Sequence, residues 1–222
     1  MQRLVLFAKD PRAGRVKTRL ARDTDAAWAA RLYEAFLEDL AAAVVRPASW
    51  EAVLAHGEAE AGHELSRLFG PRWTLRPQGA GDLGERLERA FCAARDEGMS
   101  RTVVIGSDAP TLTPDDIERA FQRLAVEPGV VFSPSPDGGY ALIGLSRNVN
   151  PRGLFDGVRW STCDALADTE GAALARGARV ERLPPVPDID TRDDLAPLRQ
   201  RLEAERSLAP RTLEVLREET WR

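Results

Sequence analysis

Five cations fall within eleven residues near the start of the chain, in Lys9-Asp10-Pro11-Arg12-Ala13-Gly14-Arg15-Val16-Lys17-Thr18-Arg19. Guanidinium forks make charge-assisted bonds to phosphate oxygens, ammonium groups act as point charges, and backbone amides near a helix start add further donors. The segment therefore suits a polyphosphate, although it lacks the Gly-Lys-Ser/Thr ending of a P-loop. Lys9, Gly14, Arg15, Lys17 and Arg19 are its candidate ligands. The chain has 31 basic residues, and only Lys9 and Lys17 are lysines. Arg and Lys are not interchangeable, because an ammonium is a compact point charge on a flexible stem. Lys17, with Arg15, is the candidate for stabilising charge on a phosphate.

Carboxylates supply the second kind of chemistry. Asp108, in Gly106-Ser107-Asp108-Ala109-Pro110, follows the most apolar run of the chain. A carboxylate beside a phosphate loop is placed to hold Mg²⁺, or Mn²⁺, which takes one or two protein carboxylates plus substrate phosphates. Asp188 and Asp190, in Asp188-Ile189-Asp190-Thr191, offer two more. Asp137 opens the turn Asp137-Gly138-Gly139-Tyr140, whose glycines admit an acceptor while the acid orients or deprotonates it. Trp160, before Ser161 and Thr162, offers a wall for the same acceptor. Gly79-Ala80-Gly81-Asp82-Leu83-Gly84 matches G-x-G-x-x-G, but it does not follow the first strand, as dinucleotide binding requires. Gly81 and Asp82 read instead as contacts to a nucleobase or ribose.

The elements that must position these groups alternate. Strands are expected at 3–8, 50–55, 72–76, 102–106, 129–133, 139–145 and 179–183. Helices are expected at 24–45 (with Pro47 just beyond), 59–69, 84–97, Thr113 to about 125, 163–176, after Thr191, and 207–219. Residues 9–19 read as a loop. This alternation predicts an α/β fold with a largely parallel sheet, whose ligands lie outside the carboxyl ends of the strands. The candidate residues follow predicted strands.

Composition narrows the function. The 222 residues are expected to form one domain. Net charge is −4, which offers no global field for nucleic acid. No apolar run approaches a membrane span, and the N-terminal apolar stretch is too short for a signal peptide, so a cytoplasmic location is expected. Cys92 and Cys163 are too few for a disulfide scaffold, and His56 and His63 stand outside any metal-ligand spacing.

The motifs together resemble a bacterial family of GT-A-fold transferases. Its members are labelled nucleotide-diphospho-sugar transferases or arsenosugar-biosynthesis-type glycosyltransferases, and it is related to the molybdenum-cofactor and phospholactate nucleotidyltransferases. The resemblance runs from Phe7-Ala8-Lys9 through Arg19-Leu20, Gln78–Leu87, Ile105–Pro110, Pro136–Tyr140 and Trp160–Thr162 to Asp188–Leu195. It implies a Rossmann-like mixed, mostly parallel sheet flanked by helices. It implies one domain with residues 1–110 mainly nucleotide-binding and 130–195 mainly on the acceptor and metal side, a divalent metal on Asp108 with Asp190 as second ligand, and an acceptor region that includes Gly138, Gly139, Tyr140 and Trp160. The chain departs from the family at Arg192, where Pro is common, and at Asp10, where a small residue is common. The function implied is glycosyl transfer from a nucleotide sugar to a small acceptor. Nucleotidyl transfer from a nucleoside triphosphate, with pyrophosphate leaving, is the alternative, and a nucleotide-binding regulator without turnover is a third reading.

Overall fold

The computed structural model describes residues 1–44, 49–57 and 62–218, without the side chains of 62–64. Residue 45, Pro47, residues 59–61 and residue 219, used above to bound helices, lie outside the described residues.

Seven strands form one sheet: β1 (Gln2–Ala8), β2 (Glu51–His56), β3 (Trp73–Pro77), β4 (Arg101–Gly106), β5 (Gly129–Pro134), β6 (Tyr140–Ser146) and β7 (Arg179–Arg182). Their order is β3-β2-β1-β4-β6-β5-β7. β6 pairs antiparallel with both β4 and β5, and every other pairing is parallel. The mixed, mostly parallel sheet matches the expectation. The basic segment holds more structure than a loop, because helix α1 (Thr18–Asp23) starts within it.

Alternation along β1 shows how the sequence builds two hydrophobic layers. Leu4 and Leu6 join a core with Trp28, Leu32, Phe36 and Leu40 of α2 (Ala26–Val44). Val5 faces the other way, into a core with Leu87 and Phe91 of α4 (Leu83–Asp96). Successive side chains on a strand point to opposite faces, so a strand buried on both sides reads as a continuous apolar run. Helix α3 (Gly62–Phe69) joins β2 to β3, and α5 (Pro114–Val126) joins β4 to β5. Helices α6 (Ala165–Ala175), α7 (Leu195–Ala204) and α8 (Pro210–Arg217) complete the layers.

Two features of this topology position the site. The strand order reverses direction between β1 and β4, which opens a crevice at their carboxyl ends. After β7 the chain then climbs along β5 and on to β4. Leu183 N–H donates to Phe132 O at 2.7 Å, Val186 N–H to Pro134 O at 2.9 Å, and Ile189 N–H to Asp108 O at 2.9 Å. That path delivers Asp188 and Asp190 to the loop that follows β4.

Candidate functional site

Lys17 is the centre of the crevice. Its side chain is only 3% exposed, and its ammonium contacts Asp108 Oδ1, Asp190 Oδ1 at 3.1 Å and the Ile189 carbonyl at 2.7 Å. It also stands 5.8 Å from the ring centre of Tyr33 and 5.6 Å from that of Phe36, within cation–π range. The Lys17 backbone is left-handed, at φ 47° and ψ 42°, immediately before α1. A non-glycine residue pays about 1–3 kcal/mol for such a conformation, and it persists where the surroundings over-determine it. Here two carboxylates, a carbonyl and two aromatic faces do so.

Tyr33, on α2, ties two loops together. Its hydroxyl accepts from Lys9 N–H at 3.0 Å and shares a 2.7 Å hydrogen bond with Ser107 Oγ. Burial, reinforced by the Asp108 charge, holds its phenol far above the ordinary range, so it stays neutral. Gln78 is also buried. Its amide donates to Ala55 O at 2.7 Å, and its Oε1 accepts from Arg86 at 3.2 Å. Nothing in helical or strand spacing marks Tyr33, which sits among the apolar residues of α2. Gln78 opens the glycine-containing stretch that carries part of the resemblance, though its own residue type gives no role.

Above these residues lies a cleft of about 700 Å³, lined by Lys9, Lys17, Arg19, Gln78, Gly81, Asp82, Asp108, Tyr140 and Asp190 among others. It lies within the size range of small-molecule sites. Residues chosen from five separate motifs thus meet at one surface. Gly14 and Arg15 are exposed and do not line it. Asp82 has a structural task as well: it caps α4, accepting from Glu85 N–H at 2.9 Å while Glu85 accepts from Asp82 N–H at 2.8 Å. Gly81, at φ 102°, is required by that cap, since a Cβ there would lie 2.1 Å from Glu85 Oε2.

The expected acceptor residues separate. Tyr140 joins the cleft, and burial raises its phenol. Asp137 lines a second groove of about 530 Å³, which shares Arg19 and Asp190 with the first. Gly138, Gly139 and Trp160 line neither cavity. Gly138, at φ 90°, lies so close to the Cys163 backbone that a Cβ would approach its carbonyl oxygen to 2.2 Å. Trp160 packs against Tyr140 and Phe155, with ring centres 6.3 Å away in each case. Gly138 and Trp160 therefore shape the wall from behind.

Asp108 and Asp190 fit the oxygen-donor chemistry of a divalent cation. Each gives one oxygen to Lys17, and their side chains remain 50% and 37% exposed. Arg19 lies 3.7 Å from the second oxygen of Asp190. The carboxyl of Asp188 is pushed up to about 6, chiefly by burial and then by Asp137 and Asp190, while Lys17 opposes the shift. The acids around the crevice thus exceed the buried cation that balances them. Among the described residues no three ligating side chains converge, so substrate phosphates and water would complete the shell.

Known proteins share this architecture. A structure from Desulfovibrio desulfuricans G20, provisionally named a nucleotide-diphospho-sugar transferase, is 31% identical, with a TM-score of 0.90 over 98% of this chain and 94% of that one. A cytidylyltransferase from Leptospira borgpetersenii serovar Hardjo-bovis is 12% identical, with a TM-score of 0.58 over 94% and 96% of the two chains. A 4-diphosphocytidyl-2C-methyl-D-erythritol synthase from Anaerococcus prevotii is 10% identical, with a TM-score of 0.59 over 91% and 96%. These last two share the fold. No curated protein matches the sequence. No helix among the described residues is long and apolar enough to cross a membrane. A family model described as an uncharacterized protein conserved in bacteria (DUF2064) matches residues 40–162, more than half of the 222. The resemblance read from the motifs therefore holds, and the chain belongs to the DUF2064 family.

Proposed function

We propose that this chain is an Mg²⁺-dependent transferase that moves a glycosyl group from a nucleotide-diphospho-sugar to a small acceptor. One observation carries the reading: Lys17, Asp108 and Asp190 meet at the β1/β4 crevice, on the rim of a cleft that the glycine motif also lines. The provisional name of the 31%-identical relative supports the choice of donor.

Asp108 and Asp190 are the residues that would hold the ion. When bound, it neutralises donor phosphate charge as the leaving group departs. Lys9, Lys17 and Arg19 face the same phosphates, and Lys17 is already fixed in place. Preorganised charge of this kind costs no reorganisation during reaction. The bond between the sugar and the diphosphate breaks, and the nucleoside diphosphate leaves with its electron pair. The acceptor oxygen forms the new bond, and its proton passes to Asp137.

Nucleotidyl transfer is the second reading. The clustered cations of residues 9–19 suit a triphosphate, and the cytidylyltransferase structures share the fold. The two reactions differ in leaving group. The protein is incubated with Mg²⁺ and nucleotide sugars in one series, and with nucleoside triphosphates and phosphorylated acceptors in another. Nucleoside diphosphate release in the first series is expected. Pyrophosphate release in the second establishes the alternative. If Asp108→Asn and Asp190→Asn leave every activity and its metal dependence unchanged, the transferase reading gives way to a nucleotide-binding regulator.

A further inference from the structure

The second groove lies on the far side of Asp190 and Arg19 from the nucleotide cleft, and these two residues form the shared wall. At about 530 Å³ it holds a small molecule. Its polar groups differ in how far the protein already uses them. Asp194 is spent on its own turn, where Oδ2 accepts from Asp190 N–H, Thr191 N–H and Thr191 Oγ1 at 2.7–2.9 Å. Arg201 donates to Thr111 Oγ1 at 3.2 Å, and Arg19 leans on Asp190. Asp137 Oδ1 accepts from Ser135 and from Gly139 N–H, but Oδ2 has no partner among the described residues. Asp188 accepts no hydrogen bond from another residue's side chain or backbone among the described residues. The groove therefore presents two carboxylates with spare acceptor capacity.

Carboxylates accept hydrogen bonds and repel anions. A phosphate monoester here would meet Asp137 and Asp188, while Arg201 is held by Thr111 and Arg19 stands between Asp190 and the neighbouring cleft. Hydroxyl groups would find acceptors, and Pro136, Pro187 and Pro197 supply apolar faces for the C–H side of a sugar ring or polyol. We infer that this groove is the acceptor site, and that it takes a polyhydroxylated molecule without anionic groups. This rests on reading the neighbouring cleft as the nucleotide site.

The test separates the two claims. Saturation-transfer NMR on the full chain, with Mg²⁺ and with or without a nucleoside diphosphate, compares glucose, inositol and glycerol with their phosphate monoesters. The neutral compounds are expected to bind more tightly than the esters. Asp188→Asn, which keeps the size and removes the charge, weakens them about tenfold, the equivalent of one charge-assisted hydrogen bond. Pro197 is exposed, so Pro197→Trp fills the groove without disturbing the core, and it abolishes their signal while nucleotide binding persists. Tighter binding of the esters, no neutral binding while nucleotide binds, or a neutral signal that survives Pro197→Trp overturns the inference. Neutral binding that is sensitive to Pro197→Trp, with no nucleotide binding, supports the groove and defeats the nucleotide reading. If neither class binds, both fail.

Discussion

At the scale of single residues, the buried ammonium of Lys17 changes what a conservative substitution means. Twenty-nine of the 31 basic residues are Arg, yet this position is Lys. A guanidinium is larger and planar, and it cannot sit between two carboxylates, a carbonyl and two ring faces without displacing one of them. Lys17→Arg is expected to cut kcat/KM by about 100-fold, the scale of one lost preorganised charge contact. Circular dichroism is expected to show a retained fold. Wild-type turnover in this variant defeats the role given to Lys17. Asp108→Asn is expected to lose a similar factor and to weaken the Mg²⁺ dependence of the rate, which a metal titration of initial velocity measures. The carboxylates and lysines were legible in the sequence because they lie in polar motifs that come after predicted strands. Tyr33 was not, because a phenol inside an apolar helix face looks like core until its hydroxyl is seen to join Lys9 and Ser107.

Between elements, a helix near the end of the chain depends on a distant one. Helix α8 has Ala209 at its N-cap, with no side chain to accept its first amides. Asp39, buried in the middle of α2, does so instead, accepting from Arg211 N–H at 3.0 Å and Thr212 N–H at 2.8 Å. Burial raises the Asp39 carboxyl, and those amides oppose the rise. Asp39→Ala leaves the amides unpaired, at a cost of about 1–3 kcal/mol. Urea unfolding measures this loss, and hydrogen exchange is expected to accelerate in α8 first. Unchanged stability would mean that α8 is held by packing alone. Sequence reading found the segment helical but gave it no role, because a cap contributed from 172 residues away leaves no local pattern. The strands were legible for the opposite reason: their apolar runs and the turn residues around them are local signals. Helix α1 escaped because its first two residues, Thr18 and Arg19, close the basic segment, whose proline, glycine and charges read as a loop.

Across the whole molecule, charges pair at the end of the sheet opposite the crevice. Arg3, only 3% exposed, donates to Glu51 at 2.9 Å and to Glu97 at 2.6 Å, and Arg76 also binds Glu97. Arg76 first, then Arg3, hold the Glu97 carboxyl down at about 2. A carboxyl lowered on folding binds fewer protons in the native state than in the unfolded one. Its contribution is therefore complete above the ordinary Glu value of about 4.5 and disappears as pH falls towards 2. Melting temperature is expected to decline through that window, and Glu97→Gln is expected to flatten the decline. A Glu97→Gln profile parallel to wild type would assign acid sensitivity elsewhere. The reversed strand β6 has a different consequence. Because it runs against its neighbours, the β5–β6 hairpin turns at the ligand edge, and Asp137 arrives there without any crossover helix. Hairpin tips are the parts of a fold most easily exchanged, whereas the basic segment is bound into β1, α1 and α2. On the proposed function, grafting residues 135–139 from a relative, with the glycine at 138 retained, is thus a route to retargeting the acceptor while leaving the nucleotide cleft as it stands.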